Sequence, residues 1–413
     1  MWNAIAGDAA VAACIAPVDN PFHESRMYAM THIAVHDALN SIDRRSRPYA
    51  FFRSQLQPDA SPEATVAAAA HDVLVVALAD LPSNFEPCVG AAVTLVEEAY
   101  DAALAAIPDG AAKTKGIALG RASAAVIVDL RTGDGSDTLF LDFDYPQGTE
   151  PGQWRFTPGT SFAVVPEWGE VTPFALRASS QYRAPPPHRL TSRRYTSDFQ
   201  EVKDLGGDGA GTPSARTPEQ TEIALFWVES SPLQWNRIAR TVAMSEELDA
   251  WENARLLGLL NMALTDGYIG AWETKYHYKF WRPVTAIREA ATDGNPDTEA
   301  DPDWTPLVVT PPLPDHDSGH SVEGGAAAEV LRRFFRTDDI EFETCSLTLP
   351  DGQQCDDPVP VLRSYDSFTA AEGENGESRI LVGFHFRKAV EDGIIHGNRI
   401  GSRTVQGYLR TVH

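Results

Sequence analysis

The chain has 413 residues, 43% of them apolar and 22% charged, a balance that builds a folded core and excludes a disordered polyelectrolyte. Lys and Arg number 34 against 58 Asp and Glu, for a formal charge of −24. Such a surface repels phosphate backbones and anionic lipid headgroups, so neither nucleic acid nor a membrane surface is expected as a partner.

In chain order, residues 1–132 read as helices. Ser25–Ile42 carries Met27, Met30, Ile33, Ala34, Ala38 and Leu39 at helical spacing. Ser61-Pro62-Glu63 pairs a capping residue with proline at the first helical position and opens a helix to about Asp80. Its apolar stretch Val66–Leu81 is interrupted by His71 and Asp72 and falls short of the ~18 residues of a membrane span. Residues 88–107 and 111–131 predict two more helices, the second with Gly116 and Gly120 placed for close helix approach. Residues 133–213 are rich in Gly, Pro, Asp and aromatics without periodicity, and read as an irregular wrap. Helical pattern resumes at 217–230, 232–244, 246–280, 321–336 and 384–411. Strand-like alternation is scarce. The expected fold is all-α, a helical bundle in one domain, 1–413, with the wrap at 133–213 and a helical region at 214–413.

Cys14, Cys88, Cys345 and Cys355 lack the paired spacings of a zinc site. A disulfide could close the turn between Cys345 and Cys355; two free thiols are the other reading. A bridge would imply an oxidising compartment, hence a secreted or periplasmic protein. Met1 is followed directly by Trp2-Asn3-Ala4, so either the protein is cytoplasmic or its signal peptide is not part of this chain. His32 and His36 have the i, i+4 spacing of helical zinc ligands, without the glutamate of a metalloprotease. Asp134, Asp137, Asp142 and Asp144 form an acidic loop whose spacing fits no EF-hand.

Three fragments carry more specific chemistry. Lys275 and Arg282 lie seven residues apart, on one face of a continuous helix about 10 Å apart, although Pro283 turns Arg282 away from helical geometry. Ser318-Gly319-His320 precedes a helical run, so free N–H donors, a hydroxyl and an imidazole gather at one helix start. Arg379 and His385 lie six residues apart around an apolar stretch. Taken singly, each has a plainer reading: solvated cations, an ordinary cap, a core histidine. Together, three cations, a helix N-terminus, a hydroxyl and two histidines suit a multiply charged tetrahedral oxyanion.

Lys275-x6-Arg282-Pro283, Ser318-Gly319-His320 and Ser378-Arg379-x5-His385, in that order, resemble the three-part signature of the vanadium-dependent haloperoxidases, which share it with the type 2 phosphatidic acid phosphatase and acid phosphatase superfamily. The resemblance covers about residues 265–405 firmly and the N-terminal half loosely, through Met30–Asn40 and Pro151-Gly-Gln-Trp154. It implies the helical bundle of that superfamily and vanadate as cofactor. Lys275, Arg282, Ser318, Gly319 and Arg379 would hold its oxygens, His385 would ligate vanadium, and His320 would exchange protons. Hydrogen peroxide, a halide and a small organic substrate would be the reactants, and a homo-oligomer is compatible with it. The alternatives are a phosphatase working through a phosphohistidine at His385 and a non-catalytic oxyanion-binding scaffold. Two departures stand out: Ala389 replaces the aspartate usual four residues after the last histidine, and Asp317 replaces a proline. His385 then needs another partner for its second nitrogen, with Glu323 a candidate; Trp272 and Leu313 are candidates for the pocket wall.

Overall fold

Capping residues and prolines mark where the helices begin. In the computed structural model, which describes residues 1–412, α1 (Trp2–Ala12) leads into α2 (Pro21–Leu39), opened by the Asn20 side chain accepting the His23 N–H. Ser61 does the same for α3 (Pro62–Ala79), with Pro62 in the first turn. Next come α4 (Glu86–Ala105) and α5 (Ala111–Arg131). The wrap holds β1 (Leu141–Asp142) paired antiparallel with β2 (Ala163–Val164), and then α6 (Arg193–Leu205). A capping box at Thr217 opens α7 (Pro218–Phe226), followed by α8 (Ser231–Ser245). Asp249 and Glu252 form a second box at the start of α9 (Ala250–Tyr278). The short α10 (Pro283–Arg288) precedes α11 (Gly319–Phe335); β3 (Phe342–Thr344) pairs with β4 (Arg363–Tyr365), and α12 (Phe368–Leu381) and α13 (Arg387–Gly407) complete the chain. The fold is all-α, as expected.

α9 is buried around its whole circumference from Leu256 to Trp272 because it runs through the centre, against α2, α11 and α13. α3 has the length and mean hydropathy (1.4) of a membrane span, and packs here against α2, α4 and α5. Gly116 and Gly120 lie on Ser61, Thr65 and Ala69 of the α3 segment, where a Cβ would collide with main chain. Gly393, Gly397 and Gly401 likewise seat α13 on the backbone of α11.

Three helices depart from the expected layout. α6 lies inside the stretch read as irregular, and neither the short α10 nor α12 was anticipated. Tyr195, Phe199 and Val202 give α6 one buried face, and α12 buries Asn375, Ser378 and Arg379 among its apolar residues, so tertiary contacts override its two glycines. Among the contacts that fasten the rest of the wrap, three involve its first half. Asp134 pairs with Arg26 at 3.0 Å and Arg131 at 2.8 Å. Trp154 N–H donates to the Lys279 carbonyl at 2.7 Å, and Trp281 N–H to that of Gly152 at 3.0 Å. The buried Asp266 carboxylate accepts the N–H groups of Phe174 (2.6 Å), Ala175 (2.7 Å) and Leu176 (2.9 Å).

These contacts also account for the minor metal candidates. Asp134 is consumed by its two arginines; His36 bonds Asp37 at 2.8 Å and Ser46 at 2.6 Å, and His32 bonds Asn3 at 2.7 Å. Among the described residues no group of three His, Cys, Asp or Glu could hold a metal ion. The cysteines form two bridges, Cys345–Cys355 and Cys14–Cys88; the second joins residues too far apart in sequence for spacing to suggest it.

Candidate active site

The C-terminal end of α9, the N-terminus of α11 and the turn between α12 and α13 converge on one cavity. Lys275 comes from the last turn of α9, Arg282 from the cap of α10, Gly319 and His320 from the start of α11, Arg379 from the last turn of α12, and His385 from the turn after it; all six line the cavity. Ser318 is buried at the cap position of α11. Contrary to expectation its side chain caps nothing. It accepts a hydrogen bond from Ser321 Oγ at 2.9 Å, which leaves its own proton available.

The three cations are buried, at 1–2% exposure, and their partners are main-chain carbonyls. Lys275 Nζ donates to Pro314 at 3.1 Å, to Asp315 at 3.0 Å and to Asp317. Arg282 donates from Nε to Leu313 at 2.7 Å and from Nη1 to Phe384 at 3.0 Å. Arg379 Nη1 donates to Trp227 at 2.5 Å, while its Nε has no partner among the described residues. Burial is the main cause, and repulsion from Arg282 the next, that pushes Lys275 down to about 7 and Arg379 down to about 9. Burial alone pushes Arg282 down to about 10, against the pull of Asp315. A surplus of buried positive charge without a carboxylate on it is a cradle shaped for an anion.

His385 Nδ1 lies 2.9 Å from Asp315 Oδ1, and Nε2 lies 3.0 Å from Arg282 Nη1. Nδ1–H therefore donates to Asp315, and Nε2 presents its lone pair. Burial, then Arg282, Lys275 and Arg379, hold His385 well below the usual histidine range, so the ring is neutral. Asp315, not Glu323, is thus the partner of the second nitrogen. Burial pushes the Asp315 carboxyl up to about 7, against the pull of Arg282 and Lys275. Glu323 is buried beside Gly319, facing Tyr268 and Ser231; burial raises it well above the usual range, so it is an uncharged acid. Asp317 turns its carboxylate to His396 of α13 at 2.8 Å, so it is paired rather than free beside the anion cradle. The Ala389 carbonyl accepts the Ser318 N–H at 2.9 Å, which joins α13 to the cap of α11.

His320 Nε2 donates to the Glu229 carbonyl at 3.2 Å, which leaves the lone pair on Nδ1. Burial and Arg379 keep this ring neutral too. Trp272 and Leu313 both line the cavity, with Lys275 Nζ 5.7 Å from the Trp272 ring centroid. The sequence singled out every cradle residue and missed Asp315. It lies in the fragment Pro314-Asp-His-Asp, where nothing in the spacing separates one aspartate from the next.

Residues 255–413 match the family model described as the VCPO second helical-bundle domain. Vanadium chloroperoxidase of Curvularia inaequalis is 24% identical over 468 residues, covering 90% of this chain and 75% of that protein. The solved structure of a bacterial vanadium-dependent iodoperoxidase superposes with a TM-score of 0.75 at 22% identity, covering 100% of this chain and 96% of the other. Apo bacterial vanadium-dependent chloroperoxidase gives 0.71 at 16% identity, with 94% of each chain covered. Residues 255–413 thus match the second helical-bundle domain that this family model describes, and the chain shares its fold along its length with bacterial vanadium-dependent haloperoxidases.

Proposed function

We propose that the protein is a vanadate-dependent haloperoxidase that oxidises halide with hydrogen peroxide to a hypohalous species. The carrying observation is the set of three buried cations with no carboxylate bonded to them, around a histidine whose Nε2 faces Arg282 Nη1 at 3.0 Å. Tetrahedral vanadate fits this donor set: Lys275, Arg282, Arg379, Ser318 Oγ and the Gly319 N–H would hold its oxygens, and His385 Nε2 would ligate vanadium. When bound, vanadate supplies Lewis acidity that activates peroxide toward halide. The chain's own residues neutralise the anion, fix the ligand tautomer through Asp315, and exchange a proton at His320 Nδ1. Two disulfides suit an oxidising compartment, which favours secretion or a periplasmic location.

The same cradle fits phosphate, and the Asp315–His385 pair supplies the orienting carboxylate that a nucleophilic histidine needs. This supports a phosphatase as second reading. Vanadate separates the two. Bromination of a phenolic dye with peroxide and bromide should appear when orthovanadate is added and vanish on its removal. Activity indifferent to vanadate would overturn the haloperoxidase reading, and phosphate-ester hydrolysis inhibited by vanadate would establish the other. His385→Ala should lose vanadate affinity and turnover together. His320→Ala should keep binding and lose turnover about 10²–10⁴-fold.

A further inference from the structure

We propose that a buried file of hydroxyl and carboxyl groups behind the cradle carries protons from the surface between α1 and α8 to Glu323; this deepens the haloperoxidase reading and rests on it. The file consists of Tyr28 and Glu24 of α2, Ser230 and Ser231 at the start of α8, Tyr268 of α9 and Glu323 of α11. All six are at most 2% exposed, and none of their side-chain oxygens has a hydrogen-bond partner among the described residues. Buried polar groups are ordinarily bonded, because leaving one unpaired costs stability. Six adjoining exceptions across four packed helices point to a role other than stability.

Neighbour relations set the order of the file. Glu323 faces Tyr268 and Ser231, and Tyr268 also faces Glu24. Glu24 faces Ser230, with Glu229 and Arg237 beside it, and Tyr28 follows one turn along α2. Tyr28 faces Arg240 of α8, and Arg240 faces Asp8, which is exposed on α1. At the other end, Glu323 Oε1 and Lys275 Cε stand 3.7 and 4.0 Å from the place a Cβ on Gly319 would take. The file thus ends against the cradle. Free of other bonds, each hydroxyl turns from one neighbour to the next, and each carboxyl gives one proton and accepts another. Burial pushes Glu24 up to about 8, with Glu229 adding to it and Ser230 and Arg237 opposing, so it holds a proton at neutral pH. Burial likewise keeps Glu323 well above the carboxylate range, against Tyr268, Ser231, Lys275 and Arg379. The open cavity has no comparable file: Phe85, Phe140, Phe162, Val309 and Leu313 line it, and Asp19 is its one carboxylate among the described residues. Each turnover consumes a proton. Halide, hydrogen peroxide and one proton give hypohalous acid and water: the O–O bond breaks, an O–X bond forms, and halide gives two electrons. The proton from Glu323 ends on the oxygen that leaves as water, and Glu24 reloads Glu323.

Glutamine matches the shape and the uncharged state of both acids, so Glu24→Gln removes a transferable proton and little else. In vanadate-free protein, infrared spectra should contain protonated carboxyl bands that Glu24→Gln and Glu323→Gln each remove singly. Binding of inorganic phosphate should shift both bands, and in Tyr268→Phe it should shift the Glu323 band alone. Phosphate affinity should be unchanged in Glu24→Gln. In vanadate-loaded protein, Glu24→Gln should lower kcat for bromination about tenfold or more near neutral pH, with a larger solvent isotope effect and unchanged KM for peroxide and bromide. The loss should shrink in acid, where solution supplies protons by every route. Ionised carboxyls, a Glu24 band that ignores phosphate, or an unchanged kcat in Glu24→Gln each overturn the file and leave the haloperoxidase reading intact. Lost phosphate affinity in Glu24→Gln overturns it too, because the residue then only shapes the cradle. Phosphate-shifted carboxyl bands without vanadate-dependent bromination support the file and overturn the haloperoxidase reading.

Discussion

At His385 the hydrogen bond from Nδ1 to Asp315 decides which nitrogen keeps a lone pair, and residue 389, an alanine, has no group to do so. Asp315→Ala should lower vanadate affinity about 10–100-fold, and Asp315→Asn, whose oxygen still accepts from Nδ1, should lose less. Equal losses in a titration of both variants would show that the bond does not matter. Lys275 makes a second claim. Burial and Arg282 push it to about 7 from an ordinary 10.5, so between those limits the unfolded chain binds one more proton than the folded one. The destabilisation is fully present below about 7 and is relieved as pH rises toward 10.5. A bound dianion restores the proton. Sulfate, which does not titrate in this range, should therefore bind with proton uptake above neutrality and more weakly as pH rises. Calorimetry in buffers of different ionisation enthalpy reads this directly, and proton release would contradict it. The cradle residues were legible in the sequence because each sits in a short fragment of unusual composition. Asp315 was not, because its role depends on how the loop before α11 folds back onto the turn holding His385.

The stripe Gly393, Gly397 and Gly401 lets α13 rest on the backbone of α11, and that contact brings the turn holding His385 to the start of α11. A Cβ at Gly397 would collide with the Val322 carbonyl and lie 2.7 Å from Ala326 N. Gly397→Ala should cost about 3 kcal/mol and weaken oxyanion binding as the helices part. Gly373 of α12 faces open space, so Gly373→Ala should stabilise by about 0.5–1 kcal/mol. Urea denaturation of the two variants tests the contrast, and equal effects would refute it. Most helices were legible from caps and periodicity, α3 and α5 nearly to the residue. α12 was not, because Gly373, Gly376 and its run of polar residues lack an apolar stripe, and its stability comes from what packs on it. α6 carried a readable face, Tyr195, Phe199 and Val202, but lay hidden among prolines and glycines.

Across the molecule, the two disulfides close loops of very different length. Cys14–Cys88 spans 74 residues and ties the segment after α1 to α4, whereas Cys345–Cys355 spans 10. Chain entropy assigns them about 4.5 and about 3 kcal/mol. Replacing Cys14 and Cys88 together by Ala should therefore lower Tm more than replacing Cys345 and Cys355, and calorimetric scans giving the reverse order would refute that assignment. Residues 133–176 offer a different kind of constraint. Asp134, the Gly152–Trp154 pairing with Lys279–Trp281, and Asp266 fasten them to the helices at three places. The cavity walls they contribute are thus in position before any oxyanion arrives, and the ordering entropy was spent in folding rather than at each encounter. In stopped-flow mixing with inorganic phosphate the observed rate should rise linearly with concentration in a single phase, and a rate that levels off would reveal a gate. Exchange of the anion with solvent would be governed by diffusion through a standing mouth, and residence time by the charges at its inner end.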